Sequence, residues 1–392
     1  MTVIKGLKII TFLPYGNEID SIASTLAQGA SYVAVITAIP SHRMQVLTEL
    51  YKEGLILEKQ EVNLFPIYGG RSPLINIVRY FLASLVMLFL SLNLVRKIGK
   101  FHLCIAMGWD QSLQALLLKK FSLVKKLVYW SNDWFVPEKK SSLLFYLDKN
   151  GLWPFLDERM ALSCDALWNV TKRIRDARHS RLRNFRHRKE AIVMPPIKIK
   201  HSNTTAVRSN RIGFVGGVRP GQGLELAIKA LYHLKKMGID ATLEIVGPGL
   251  KSYRSYLRNL AEKLGVLYQV KFLGFVKTEE LRRVSMRWRC AIALYETAER
   301  IMVYYSYGGK LLFYLECSIP IVACRCTELL EELKRNKAAL IAKNDPEDVS
   351  RLLAKILSDD GLYHEMVKST KYFLSLKTNV MWHEIDELFG NV

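Results

Sequence analysis

The chain has 392 residues, half of them hydrophobic and 24% charged, which excludes a disordered chain and exceeds what one ordinary core holds, so two domains of about 200 residues are expected. Net charge is +21 and uneven: residues 1–200 carry 29 Lys and Arg against 15 Asp and Glu, while residues 201–392 carry 28 against 21. The first half therefore meets something anionic.

In chain order, residues 7–13 make a buried strand with an apolar run too brief for a secretory leader. The loop Pro14-Tyr15-Gly16-Asn17-Glu18 opens a helix to about Gly29, and Gly16 and Asn17 are placed on the acceptor side of a site. Strand 32–37, a helix near 42–53, strands near 55–67, an apolar helix at 75–97, strand 102–107, helix 110–121 and strand 126–130 follow. A helix at about 141–162, strand 165–170 and helix 172–186 complete a first domain over 1–198. Repeated β-α units imply a parallel sheet covered on both faces.

Two stretches in this half invite a membrane. Phe81 to Val95 is a fifteen-residue apolar run bounded by Arg79 and by Arg96-Lys97. A span needs about 20 residues, so a buried or half-buried helix is expected, with an in-plane membrane helix open. Lys172 to Lys189 holds nine Lys or Arg and one acid. An anionic membrane surface, nucleic acid and plain solvent are its three readings, and nucleic acid is the weakest, since Phe185 is the one aromatic available for stacking.

The Met194-Pro195-Pro196 segment leads into a linker at 199–210, and a second β-α series runs over 211–375. Its strands are expected at 212–215, 241–246, 270–273, 290–294, 319–323 and 338–341, with helices between them. Residues 376–392 form a last helix able to pack back on the first domain. Two doubly wound domains place ligands at the carboxyl ends of their strands. The six cysteines are scattered without a Cys-x-x-Cys pair, which points to reduced thiols rather than a disulfide frame or zinc site.

Two glycine turns carry the chemistry of the second half. Gly216, Gly217, Arg219, Gln222 and Gly223 lie between a strand and a helix, as an anion-binding loop does. Tyr305 to Val322 reads as a loop, a short helix and a buried strand. Gly308 and Gly309 precede that helix, Lys310 opens it, and the N–H groups of its first turn suit a diphosphate. In the first half, Asp110 and Asp133 each follow a strand; either could orient or deprotonate an acceptor hydroxyl, and Asp110 could equally cap the helix after it.

Phe214–Leu231, Glu244–Gly249, Val270–Val276 with Glu279-Glu280-Leu281 behind it, and Tyr307–Lys310 through Pro320-Ile-Val322 occur in that order. Together they resemble the C-terminal domain of the family 4 glycosyltransferases of the GT-B fold, over about residues 210–360. The resemblance implies two Rossmann-like domains facing a cleft and transfer of a hexose, with retention, from a nucleotide-sugar donor to a glycan or lipid-linked glycan. It implies Phe275 and Val276 at the nucleobase, Gly216, Gly217 and Arg219 near the diphosphate, and Gly308, Gly309 and Lys310 capping it. Glu296 joins Asp110 and Asp133 as a catalytic candidate. The family's usual Arg and Lys of the early loop are here Gly217 and Gln222, its helix acid is Phe313 with Glu316 almost one turn on, and its last Gly is Ser318. Arg219 and Lys310 are expected to restore the missing charge. There is no Asp-x-Asp and no His/Cys ligand cluster, so no metal or other cofactor is expected, and a cytoplasmic protein, peripheral at the inner face of a membrane, follows. A silent scaffold and a sugar-nucleotide epimerase on the same fold are the alternatives.

Overall fold

The computed structural model describes residues 4–14, 19–39, 45–64, 73–134, 153–182, 185, 189–199, 210–296, 303–377 and 380–389. The chain divides into two compact units, one of Met1–Pro196 with Asn379–Val392 and one of Ile197–Thr378.

The first unit holds an eight-stranded sheet in the order β4-β3-β2-β1-β5-β6-β7-β8. These strands are β1 (Ile4–Pro14), β2 (Ala30–Ile39), β3 (Gln45–Lys52), β4 (Leu55–Asn63), β5 (Phe101–Met107), β6 (Val124–Ser131), β7 (Ala166–Asn169) and β8 (Glu190–Ile192). From β2 to β8 the neighbours are parallel, and the strands are apolar because both faces are covered: Ile9, Ile10, Phe12 and Leu13 are all buried. Its helices are α1 (Ile19–Gly29), α2 (Pro73–Ile98), α3 (Ser112–Lys120), α4 (Trp153–Ser163) and α5 (Lys172–Arg181).

The helix expected near 42–53 is instead β3, paired antiparallel with β2 and β4. Val46, Thr48 and Leu50 alternate inward with period two, and Glu53-Gly54 supplies two successive positive φ angles, 48° and 86°, the hairpin turn that fits strand twist. The sheet is therefore mixed at this edge. β8 was not expected, and helix α5 ends at Arg181, five residues short of the expected bound.

The basic run is also less uniform than its composition. Arg178 is fully buried, donating through Nη2 to Asp157 and Ser131 at 2.8 Å each and through Nη1 to Asn169, with its guanidinium 5.3 Å from the Trp134 ring. It fastens α5 to the ends of β6 and β7 rather than facing solvent or lipid.

The second unit is a six-stranded, all-parallel sheet in the order β11-β10-β9-β12-β13-β14. In sequence it reads β9 (Arg211–Val215), α6 (Leu224–Lys236), β10 (Thr242–Val246), α7 (Lys251–Lys263), β11 (Val270–Gly274), α8 (Thr278–Ser285), β12 (Cys290–Ala293), α9 (Gly309–Glu316), β13 (Ile321–Cys324), α10 (Glu328–Arg335), β14 (Ala339–Ala342), α11 (Pro346–Ser358) and α12 (Asp360–Lys377). Helix starts follow local chemistry: Thr327 accepts from the Leu330 N–H, and Asp345 accepts from the Asp348 N–H ahead of Pro346 at the first helical position. Gly213 lies mid-strand because a Cβ there would sit 2.0 Å from the Trp288 ring, and Trp288 in turn donates to buried Glu244 at 2.8 Å. Glu244 also takes Arg211 and Arg287, so its charge is fully matched.

The last helix, α13 (Val380–Phe389), belongs to the first unit. Trp382 is 3% exposed, donates from Nε1 to the Thr25 carbonyl at 3.2 Å, and lies so close to Gly29 that a Cβ there would meet the indole at 2.4 Å. Lys189, from the end of the basic run, donates to the Glu387 and Leu388 carbonyls of the same helix.

Candidate functional site

In the second unit the strand order reverses between β9 and β12, and chains leaving their carboxyl ends must diverge there, opening a crevice. The ladder between these two strands is short, joining only Cys290 to Ile212 and Ala291 to Gly213. Beyond it the gap is bridged by Tyr314 of α9, whose hydroxyl accepts from the Val215 N–H at 3.1 Å and donates to the Ile292 carbonyl at 3.0 Å. One buried side chain thus sets the width of the crevice.

The loop after β9 runs against the end of β12. Gly221 accepts from the Glu296 N–H at 2.9 Å, and Gly223 caps α6 with φ 75° in van der Waals conflict with any Cβ, which would lie 1.6 Å from the Leu294 carbonyl oxygen. No other residue fits there. The second glycine turn arrives from α9, whose first-turn N–H groups and dipole point into the same region. Gly308 holds φ 72°, a Cβ on it would meet the Tyr295 hydroxyl at 3.1 Å, and one on Gly309 would meet nothing within 4 Å, so the backbone there is open to an approaching group.

Lys310 joins the two turns. The residue is 9% exposed, and its ammonium donates to Gln222 Oε1 at 2.7 Å and stands 4.2 Å from the centroid of Phe214 and 4.4 Å from that of Tyr295. A Cβ on Gly216 would be 3.6 Å from Lys310 Nζ, so residues 216–222 and 308–310 share one site. Gln222, where a lysine was expected by resemblance, is the neutral acceptor that lets a single ammonium sit there without like-charge repulsion.

Around this centre the remaining positions differ in character. Arg219 is exposed, with its Nε 3.7 Å from where a Gly217 Cβ would stand, at the rim of the loop. Phe275 follows β11 and is 72% exposed, with Val276 half-buried beside it. Glu296 is half-buried just beyond the end of β12. Phe313 is buried among apolar side chains. Glu316 does not reach the glycine turns: it is buried and paired with Arg282, whose Nε donates to it at 3.1 Å and which also takes Glu279.

In the first unit, Asp110 and Asp133 follow the adjacent parallel strands β5 and β6, aligned Met107 to Trp130, at the sheet's carboxyl edge. Asp110 is no helix cap: it lies in a 3-10 turn, and α3 starts behind Gln111 with no side-chain cap bond. Its carboxylate accepts from Gln111 Nε2 at 3.1 Å, and one oxygen stands 2.7 Å from where a Gly108 Cβ would be, beside Asn132. Desolvation, with a lesser push from the Asp133 charge, moves its pKa up to about 7. Asp133 keeps surface exposure, and desolvation raises its pKa as well. Gly16 and Asn17 lie outside the described residues.

Phe214, Tyr295 and Tyr314 were not expected as site residues. Only the Phe-Val-Gly-Gly spelling of the first turn hinted at Phe214; the tyrosines contact partners far away in sequence, and no local pattern marks them.

Residues 197–372 match the family described as Glycosyl transferases group 1. An uncharacterized glycosyltransferase of Methanocaldococcus jannaschii is 28% identical over 162 residues, which span 40% of this chain and 38% of that relative. Among solved structures, sucrose-phosphate synthase from Thermosynechococcus elongatus superposes with TM-score 0.65 at 13% identity over 97% of both chains. The catalytic domain of starch synthase IV from Arabidopsis thaliana, bound to ADP and acarbose, gives 0.65 at 11% over 98% of this chain and 100% of that one. Anabaena HepE with UDP and glucose gives 0.62 at 14% over 98% and 100%. The fold is the two-domain Rossmann-like GT-B fold of these proteins.

Proposed function

From the premise that residues 197–372 are a group 1 glycosyltransferase domain within a GT-B fold, we propose that this chain transfers a sugar from a nucleoside diphosphate sugar to a hydroxyl of a glycan or lipid-linked glycan, with retention. The observation that carries the proposal is the meeting of both glycine turns on Lys310 at the strand-order reversal of the second unit. The relatives solved with UDP or ADP support a diphosphate as the occupant.

Each residue then has a task. The open backbone at Gly309 and the first-turn N–H groups of α9 receive the diphosphate, the Lys310 ammonium and the Arg219 guanidinium offset its charge, and Phe275 with Val276 lies against the base. Gly216 and Gly217 let the diphosphate approach the loop. As the bond to the sugar breaks, negative charge builds on the departing diphosphate, and these fixed dipoles and cations stabilise it more than they stabilise the intact donor. Glu296, on the β12 end, faces the sugar. Asp110 is the base for the acceptor hydroxyl, since a pKa near 7 suits proton transfer at neutral pH, and Asp133 tunes it.

A second reading, a donor-binding but silent scaffold, is favoured by two observations: Phe313 is apolar where the family helix is acidic, and Glu316 is sealed against Arg282. Thermal shift with a panel of nucleotide-sugars finds the donor. Nucleoside diphosphate release that rises on adding an acceptor supports the transferase; donor binding with no release supports the scaffold. Turnover retained in EDTA agrees with the metal-free expectation.

A further inference from the structure

We propose that the outward face of α2 is the surface by which the protein lies on an anionic membrane, with the helix in the plane of the headgroups. The inference deepens the lipid-linked acceptor reading above. The inner face of α2 is a soluble core face: Ala83, Met87, Leu90 and Leu94 are buried at helical spacing, and Met87 also accepts from Gln114 of α3 at 3.2 Å through its sulfur. A helix packed on a sheet in this way normally turns polar residues outward. Here the outward residues are Val78, Phe81, Leu82, Leu85 and Phe89, with Phe81 54% and Phe89 60% exposed.

The 21-residue stretch Val78–Ile98 is apolar enough to cross a bilayer, yet only 33% of its most apolar window is buried. Its inner face is committed to the sheet, so crossing would tear it from the core, whereas lying flat leaves the fold intact. Charge selects the occupant. Pro73–Ile98 contains no Asp or Glu, and the outward stripe ends in exposed Arg96 and, just beyond, Lys100, while Lys97 beside them is paired with Glu58 of β4. Apolar side chains running into a basic end match acyl chains beneath anionic headgroups. A second protein copy would need no such bias.

The position of the stripe fits the acceptor. At its start Tyr80 stacks edge-on against Trp109, ring centroids 5.6 Å apart, and Trp109 precedes Asp110 in the chain. A lipid surface on the stripe therefore brings a membrane-borne sugar to the edge that carries Asp110 and Asp133. Among the described residues of the basic run at 172–189, Arg178 is buried, His179 pairs with Glu190, and Lys189 is spent on α13.

The test is flotation of the full chain with vesicles of phosphatidylcholine alone and of phosphatidylcholine mixed with phosphatidylglycerol. Wild type is expected to float with the mixed vesicles and to be released by salt. F81E/F89E, which changes only exposed positions, is expected to keep the wild-type melting temperature and lose binding by about tenfold or more. Arg173→Gln/Arg181→Gln in the basic run is expected to bind as wild type does. Wild type that floats with neither vesicle overturns the proposal. So does F81E/F89E that still floats, or light scattering that shows a dimer dissolved by F81E/F89E. Donor binding is measured apart from this, by thermal shift without vesicles, so its failure is distinguishable from failure here.

Discussion

Lys310→Met removes one charge and keeps the stem that fills the space between Phe214 and Tyr295. In the free protein the change deletes a 2.7 Å charge-assisted bond to Gln222 and two ring contacts at 4.2 and 4.4 Å. The bond is worth about 1.5–3 kcal/mol and each ring contact about 0.5–1 kcal/mol, but the ammonium of a buried lysine has also lost most of its hydration. These terms oppose one another, and the expected loss of stability is about 1–2 kcal/mol. Bound diphosphate has no such offset, because the cost of burying the ammonium is already met in the free state. Losing a charge-assisted bond to phosphate costs about 1.5–3 kcal/mol, or roughly 10- to 150-fold in affinity. Calorimetry with a nucleoside diphosphate and with the matching nucleoside separates the effects: the first weakens by that factor and the second is unchanged. A folded Lys310→Met protein that holds the diphosphate within about threefold of wild type refutes the assignment.

Asp110 gives a pH signature. Its folded pKa, about 7, lies above the unfolded value, so the folded state keeps a proton that the unfolded state has released, and stability falls as pH rises between about 4 and 7. Asp110→Asn is expected to flatten that slope in urea titrations and to be the more stable protein at pH 8, by about 1–3 kcal/mol; in turnover it loses the limb that rises through pH 7. Glu316→Gln breaks a buried ion pair and is expected to cost about 3 kcal/mol of stability while leaving nucleoside diphosphate affinity as it was, whereas a fall in affinity would put Glu316 at the donor. Trp382→Ala should lose about 3–5 kcal/mol, read as a lowered melting temperature, because the cavity opens against Gly29.

The second unit was legible almost element by element because its buried parallel strands spell short apolar runs, Ile212–Val215 and Ile321–Cys324 among them, and its helices carry caps at Thr327 and Asp345. Residues 45–52 misled for a physical reason. Val46, Leu47 and Leu50 satisfy a helical stripe while Val46, Thr48 and Leu50 satisfy an alternating one, and the turn at Glu53-Gly54 is what decides between them. The two glycine turns could be found from spelling alone, while Tyr314 could not, since its partners stand 99 and 22 positions away. Lys310 was visible as the first base of a helix. That its ammonium lies between two aromatic rings depends on Phe214 arriving from β9 and Tyr295 from the segment after β12, which only the fold brings about.

The placement of α13 bears on how the chain is made. The first unit's sheet emerges early from the ribosome, but the indole that fills the space over Gly29 arrives only after all of Ile197–Thr378 has been synthesised. At ~5–20 residues per second, that face stays bare for roughly 10–40 s of translation. Synthesis that halts at Pro196 therefore leaves a sheet with an open apolar gap, and α13 acts as the latch of a domain begun hundreds of residues before it.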